Sequence, residues 1–286
     1  MSAIDIERGL LAKDFPYVRL GHGSETLVIF PGIADAAWDV TDSKWDFAAQ
    51  YARLAKEFTV YVISRRRGMP PGYTTRDMAA DYARAFEDGI GPAVTMGVSL
   101  GGYIAQYFAA DYPDYVKQLI VASAAYRVSD EGRKAPEHWL ALARENRWSE
   151  FYRDIARVTL AEYHGVFSRL LAPLIRQPEC HPDDFLVSLE ASLLHDGREV
   201  LPLIHVPTLL IGGTKDIFFP PSMLQETAQS IPRVILRYIE GGGHSVSALR
   251  RREFENILMD FLHREDAVVA GGPNTATDIA EEALAA

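Results

Sequence analysis

The first half of the chain alternates between short apolar runs and helical patterns. Apolar runs at residues 26–30, 59–64 and 93–98 have the length and the β-branched content of buried parallel strands. After each run, apolar residues recur every three or four positions, which predicts amphipathic helices. A fourth buried strand is predicted at residues 116–124. The alternation predicts an α/β fold with a mostly parallel central sheet and helices on both of its faces.

The N-terminal segment carries weaker signals than the rest of this half. Residues 1–16 predict an irregular or partly helical lead. Residues 17–20 predict a strand that turns back at residues 21–24 and forms a hairpin with the strand at 26–30.

The alternating pattern stops at residue 129 and returns at residue 196. Residues 129–195 have no strand signal and contain aromatic-rich helical patterns, whereas residues 207–213 and 234–240 again predict strands. We therefore expect a core formed by residues 1–128 and 196–265, with residues 129–195 inserted as a helical cap over the strand ends. Residues 266–286 are mostly small or polar and include a Gly-Gly-Pro break, which predicts a flexible C-terminal tail.

Charge and composition exclude several classes of function. The net charge is −10 and no long basic run is interleaved with aromatic residues, so we expect neither a nucleic-acid nor a membrane partner. The single cysteine excludes an intramolecular disulfide, and we see neither a signal peptide nor an apolar run of about 20 residues. These features predict a soluble, cytoplasmic protein.

One pentapeptide has the pattern of a nucleophile turn. Gly97-Val98-Ser99-Leu100-Gly101 lies between a predicted strand and a predicted helix, in the pattern Gly-x-Ser-x-Gly. A serine raised on a sharp turn needs flanking residues without bulky side chains, and the following helix directs its N-terminal N–H groups toward developing negative charge. The structural alternative is a glycine-rich turn with an incidental serine.

A histidine and an aspartate follow two later strands. Asp216 comes after the strand at residues 207–213, and His244 comes after the strand at 234–240. The carboxyl ends of parallel strands meet at one edge of a sheet, so these side chains are expected near Ser99. Taken alone, Asp216 could be a helix N-cap and His244 a loop histidine. The residue types, their order and their positions together predict a Ser-His-Asp triad, in which imidazole activates the hydroxyl and the carboxylate orients the imidazole.

With these motifs, residues 17–264 resemble the α/β-hydrolase family. The resemblance rests on the serine turn, on LLIGGTKDIFFPP around Asp216 and on GGGHSV around His244. It implies that Ser99 is the nucleophile, His244 the base and then the acid, and Asp216 the orienting carboxylate. It also implies an oxyanion hole made by the backbone N–H groups of Ile33 and Leu100.

Two loops depart from the common family pattern. Pro31-Gly32 stands where many relatives have His-Gly, although the N–H that the hole needs belongs to Ile33 and remains available. The segment Ser64-Arg65-Arg66-Arg67-Gly68 is basic where many relatives have an acidic residue. The second departure leaves the conformation of that loop open.

The aromatic-rich insertion resembles the cap that covers the serine in many members of the family. We expect a largely apolar pocket with Gly32, Trp38, Trp139 and Trp148 among its substrate-binding residues. The expected partner is an apolar ester-like small molecule: an ester, thioester or lactone with a small to medium acyl group. Alternatives are a C–C bond hydrolase, a proline-type aminopeptidase or a ligand receptor with little turnover. We expect no metal and no cofactor, and we leave a homodimer open.

Overall fold

An eight-stranded sheet organises the part of the chain that the computed structural model describes, residues 4–36, 40–159 and 182–264. Its order is β1-β2-β4-β3-β5-β6-β7-β8, in which β3 to β8 run parallel to one another and β2 runs antiparallel to its neighbours β1 and β4. The predicted α/β fold with a mostly parallel sheet is confirmed. The strands are β1 (Ile6–Leu11), β2 (Phe15–Leu20), β3 (Glu25–Phe30), β4 (Phe58–Ile63), β5 (Ala93–Val98), β6 (Val116–Ala122), β7 (Thr208–Gly213) and β8 (Val234–Ile239).

Both predictions for the N-terminal segment are wrong. The segment predicted as an irregular lead contains β1, an edge strand that forms a hairpin with β2 and is only partly buried. β2 pairs with β4 and not with β3. The reason is that Gly21 and Gly23 pack on the backbone that precedes β4, where an added Cβ would lie 2.0 and 1.9 Å from the Ala55 and Glu57 carbonyl oxygens. This close approach leads the chain from β2 across β4, so that β3 pairs on the other side of β4 and β2 and β3 do not form a hairpin.

Helices cover both faces of the sheet. One hydrophobic cluster packs α2, α3 and α7 against one face, and a second cluster packs α1 and α9 against the other. α2 begins at a capping box in which Thr74 and Asp77 bond to each other's backbone N–H groups. The first of the helices predicted after the apolar runs is short: α1 ends at Gln50, and a 3-10 turn follows at Leu54–Lys56. The helices are α1 (Lys44–Gln50), α2 (Thr75–Ala85), α3 (Leu100–Asp111), α4 (Lys134–Arg144), α5 (Trp148–Thr159), α6 (Pro182–Leu194), α7 (Pro221–Ser230), α8 (Val246–Leu249) and α9 (Arg251–Leu262).

The described residues between 129 and 195 form the helices α4, α5 and α6. α4 packs on both α5 and α6, and α6 also lies against the short helical turn Ile33–Ala36 that follows β3. The buried carboxylate of Asp184 on α6 accepts hydrogen bonds from the N–H groups of Gly68 (3.0 Å) and Met69 (2.7 Å) in the loop after β4. These contacts hold α6 over the carboxyl ends of the strands.

Within the described ranges, no helix combines the length and the apolar character that crossing a bilayer requires.

Candidate active site

Ser99 occupies a sharp turn between β5 and α3. Its backbone has φ 55° and ψ −120°, a conformation that L-residues rarely adopt and that costs about 1–3 kcal/mol. The two glycines of the motif allow the turn to close. A Cβ on Gly97 would lie 2.2 Å from the Gly101 carbonyl oxygen, and a Cβ on Gly101 would lie 1.9 Å from the Phe30 carbonyl oxygen. The turn therefore requires glycine at both positions and presents the serine side chain beyond the strand end.

The structure brings the three predicted polar side chains into one hydrogen-bonded chain. His244 Nε2 lies 3.0 Å from Ser99 Oγ, and His244 Nδ1 lies 2.9 Å from Asp216 Oδ2. The three residues follow β5, β7 and β8, at the carboxyl edge of the sheet. The imidazole can thus take a proton from the hydroxyl while the carboxylate faces its other nitrogen.

The carboxylate of Asp216 is fixed from both sides. Its Oδ1 accepts hydrogen bonds from the backbone N–H groups of Phe218 (2.9 Å) and Phe219 (3.3 Å), which leaves Oδ2 for His244. The Asp216 side chain is fully buried, and that of His244 is 15% exposed. The Phe218 ring lies 4.8 Å from the imidazole, centroid to centroid, and packs against it edge to face. The imidazole is therefore held by packing as well as by its hydrogen bonds.

Two backbone N–H groups border the serine. Leu100 is the first residue of α3, and Ile33 opens the turn after β3; both line the cleft beside Ser99. Within the described part of the chain, neither N–H donates to a protein acceptor. The loop lies close to the nucleophile, since a Cβ added to Gly32 would lie 3.4 Å from Ser99 Cβ. The positive end of the α3 dipole adds to the preference for negative charge at this point.

A cleft lies above the serine, and its empty space is about 590 Å³ with the open solvent at its mouth included. Trp139 lines the cleft and donates its indole N–H to Asp154 at 2.9 Å. Trp148, predicted in the same pocket, is not among the described lining residues, and its ring packs on aromatic residues of α5 and α6. Trp38 lies outside the described residues. The lining residues are Ile33, Ser99, Leu100, Tyr103, Val128, Pro136, Trp139, Ile155, Leu189, Ser192, Phe218, Phe219 and His244.

Sequence reasoning missed the aromatic floor of the cleft. Phe218 and Phe219 lie two and three residues after Asp216, so their position near a predicted triad residue was the available signal. Tyr103, one helical turn after the serine on α3, also lines the cleft. Burial raises the pKa of the Tyr103 phenol well above its usual value, so this group stays neutral.

Beneath this floor a second histidine is buried without charge. The ring of His195 stacks on Tyr103 at 3.8 Å between centroids, and its Nδ1 lies 2.9 Å from the Thr75 hydroxyl. Burial lowers the pKa of His195 to about 3, against a slight opposing effect of Asp196. Among the described residues that line the cleft, His244 provides the imidazole, and its Nδ1 faces the Asp216 carboxylate behind it.

Comparison with known proteins agrees with this architecture. Residues 27–256 match the model of the alpha/beta hydrolase family. The chain is 27% identical over 258 residues to the serine hydrolase BPHL of Mus musculus, covering 86% of this chain and 82% of that protein.

Two further likenesses are informative. A pimeloyl-(acyl-carrier protein) methyl ester esterase of Neisseria meningitidis serogroup B is 31% identical over 204 residues, covering 64% of this chain and 78% of that protein. Among solved structures, the enol-lactonase from Burkholderia xenovorans LB400 superposes with a TM-score of 0.74 at 22% identity, covering 90% of this chain and 100% of the other. On the matches of its sequence and its fold, the chain belongs to the alpha/beta hydrolase family.

Proposed function

We propose that the protein is a serine hydrolase that cleaves a carboxylic ester, a thioester or a lactone with a small to medium acyl group. The observation that carries the proposal is the hydrogen-bonded chain from Ser99 Oγ through His244 to Asp216, with both contacts at 3.0 Å or less. The names of the two relatives, a serine hydrolase and a methyl ester esterase, support the same reaction class.

In the first half of the proposed reaction, Ser99 Oγ attacks the substrate carbonyl carbon while His244 Nε2 takes the hydroxyl proton. The carbonyl oxygen becomes an oxyanion, which the N–H groups of Leu100 and Ile33 bind. The tetrahedral intermediate then collapses. The bond to the leaving oxygen or sulfur breaks, and His244 returns its proton to the leaving group, which yields acyl-Ser99.

In the second half, water replaces the leaving group. His244 removes a proton from the water as its oxygen attacks the acyl carbon, and the same two N–H groups bind the second oxyanion. The bond between the carbon and Ser99 Oγ then breaks, and Ser99 recovers its proton from His244. The products are the carboxylic acid and the free enzyme.

The cleft favours an uncharged acyl group. Its described lining is mainly aliphatic and aromatic, and no carboxylate belongs to that lining. An aminopeptidase needs a cap carboxylate to bind the substrate ammonium group. Three glutamates of the insertion are candidates for that role: Glu150, Glu162 and Glu190. Glu150 pairs with Arg147 and Glu190 pairs with Arg144 at the surface, so both are engaged elsewhere. Glu162 lies outside the described residues.

The test is steady-state turnover on p-nitrophenyl esters of increasing acyl length, with lactones and aminoacyl anilides in the same panel. We expect turnover on short to medium esters, and its loss in Ser99→Ala. Ser123→Ala is a matched control: Ser123 follows the neighbouring strand β6, is buried and also has a positive φ, 49°. Full activity in Ser99→Ala, or an equal loss in both variants, would contradict the proposal.

A further inference from the structure

The basic loop after β4 contains a buried arginine. Arg65 is 2% exposed, although an arginine side chain is almost always at least partly solvated. Burying a guanidinium costs several kcal/mol unless acceptors surround it. Three acceptors lie near Arg65: the carbonyl oxygens of Pro31 (2.9 Å) and Gly32 (3.0 Å), and the Asp35 carboxylate (3.5 Å). All three belong to the segment that follows β3.

One of these acceptors shares a peptide unit with a predicted oxyanion-hole donor. The carbonyl of Gly32 and the N–H of Ile33 belong to the same peptide bond. That bond is planar and trans, so its oxygen and its hydrogen point in opposite directions. When Arg65 binds the oxygen on the core side, the Ile33 N–H must point away from Arg65, toward the cleft that Ile33 and Ser99 line.

We propose that Arg65 is a positioning residue that orients and polarises the Gly32–Ile33 peptide, so that the Ile33 N–H binds the oxyanion formed at Ser99. The inference rests on the proposed serine-hydrolase function. Arg65 itself does not line the cleft and acts through the peptide bond. A cation bound to the oxygen draws electron density from the N–H, and such coupling strengthens a hydrogen bond by about 10–30%.

The neighbouring contacts keep the arginine in place. The Asp35 carboxylate accepts the backbone N–H of Arg65 at 2.9 Å, and the Asp35 side chain is fully buried. The N–H of Asp35 donates to the same Gly32 oxygen at 3.3 Å, so this oxygen accepts from two donors. The peptide is thus held rigid before substrate arrives, as preorganised electrostatic stabilisation requires.

Arg67 provides a matched control in the same loop. Its guanidinium donates to the carbonyl oxygen of Asp35 at 2.9 Å, so it also ties the two loops together. That carbonyl belongs to a different peptide unit, two residues beyond Ile33. Arg67→Met removes a loop contact of the same kind without touching the Gly32–Ile33 peptide.

The experiment compares Arg65→Met, Arg65→Lys and Arg67→Met on the best ester of the panel. If Arg65→Met does not fold, the double variant Asp35→Asn/Arg65→Met replaces it. This variant removes the buried positive charge and the buried negative charge together, so no unpaired charge is left in the core. We expect Arg65→Met to lower kcat about 10- to 100-fold with KM within about threefold. This loss is smaller than the roughly 10²–10³-fold effect of deleting an oxyanion-hole donor, because the N–H remains but is no longer held. Arg65→Lys should recover part of kcat, and Arg67→Met should stay within about twofold.

A pair of inhibitors separates orientation from loop stability. An aryl trifluoromethyl ketone adds to the serine and forms an oxyanion, whereas the corresponding trifluoromethyl carbinol binds without doing so. In the Arg65 variants, the affinity for the ketone should fall by the same factor as kcat/KM, and the affinity for the carbinol should stay within about threefold. Equal losses for both inhibitors, or the same ketone loss in Arg67→Met, would overturn the role of Arg65. A wild-type protein without Ser99-dependent turnover would overturn the proposed function as well.

Discussion

Replacing Asp216 by asparagine tests how the carboxylate acts, because the structure dictates how the amide must bind. At present Oδ1 accepts two backbone N–H groups and Oδ2 faces His244 Nδ1. In Asp216→Asn, the amide oxygen must take the Oδ1 position. An NH₂ group there would face two N–H donors and could not accept a hydrogen bond from either. The amide NH₂ then faces His244 Nδ1 and forces that nitrogen to accept. The imidazole proton moves to Nε2, toward Ser99, and the ring can no longer take the hydroxyl proton.

We therefore expect Asp216→Asn to lower kcat by roughly 10⁴-fold at neutral pH, the usual cost of the wrong histidine tautomer in such a triad. KM should change little, because Asp216 lies behind His244 and does not line the cleft. The melting temperature should also change little, because both backbone bonds to Oδ1 remain. The assay is p-nitrophenyl ester turnover together with a thermal melt.

Asp216→Ala separates the orienting role from the structural one. This variant leaves the N–H groups of Phe218 and Phe219 without their buried acceptor, which costs roughly 1–3 kcal/mol for each group. It should lose activity and several degrees of melting temperature. The reasoning is refuted if Asp216→Asn keeps more than a tenth of kcat, or if it is destabilised as much as Asp216→Ala.

Three further predictions concern stability. Gly101→Ala places a Cβ 1.9 Å from a backbone oxygen and should cost about 3 kcal/mol or more in a urea melt, whereas Gly32→Ala, at 3.4 Å from its nearest neighbour, should cost far less. In the folded protein the pKa of His195 is lowered to about 3, whereas in the unfolded chain it is about 6.5. Between these values only the unfolded state gains the proton, so the free energy of unfolding falls as the pH falls. Between pH 7.5 and 5 the wild type should lose roughly 2 kcal/mol more than His195→Asn, at about 1.4 kcal/mol per pH unit. Truncation after Asp266 should leave the melting temperature and turnover nearly unchanged, because the removed residues carry few large apolar side chains.

Each of these three stability predictions would be contradicted by a specific result. Equal tolerance of alanine at positions 101 and 32 would contradict the close packing of α3 on β3. Parallel pH–stability curves for the wild type and His195→Asn would contradict a neutral buried histidine. A loss of several degrees on truncation would show that the tail contributes packing to the folded protein.

The serine turn was predictable from local sequence, and the order of strands at the N-terminus was not. The run at Ala93–Val98 predicts β5 to the residue, because this strand is buried almost throughout and ends at the serine turn. β1 was missed because an edge strand that is only partly buried has no such signal. The pairing of β2 with β4 depends on contacts of Gly21 and Gly23 with residues more than 30 positions away, which no local pattern contains.

In the candidate site, too, some residues could be predicted from the sequence and others depend on distant contacts. Asp216 and His244 could be predicted because strand ends of a parallel sheet share one edge. The place of Trp148 could not be read from helical spacing, which indicates an apolar helix face but not whether that face borders the cleft or packs on neighbouring helices. In the sequence Arg65 is one member of a basic run, and its burial becomes visible only with its contact to Asp35, 30 positions earlier.

The most direct test of the account is covalent labelling of the serine with a fluorophosphonate. The reagent phosphonylates an activated serine and releases fluoride, and the adduct does not hydrolyse as an acyl-enzyme would. Intact-mass measurement and peptide mapping should show one label per chain on the peptide that contains Ser99. The label should be absent in Ser99→Ala, strongly slowed in His244→Ala and unchanged in Ser123→Ala. Stoichiometric labelling at another residue, or labelling of Ser99 that proceeds at the same rate in His244→Ala, would contradict a serine activated by His244.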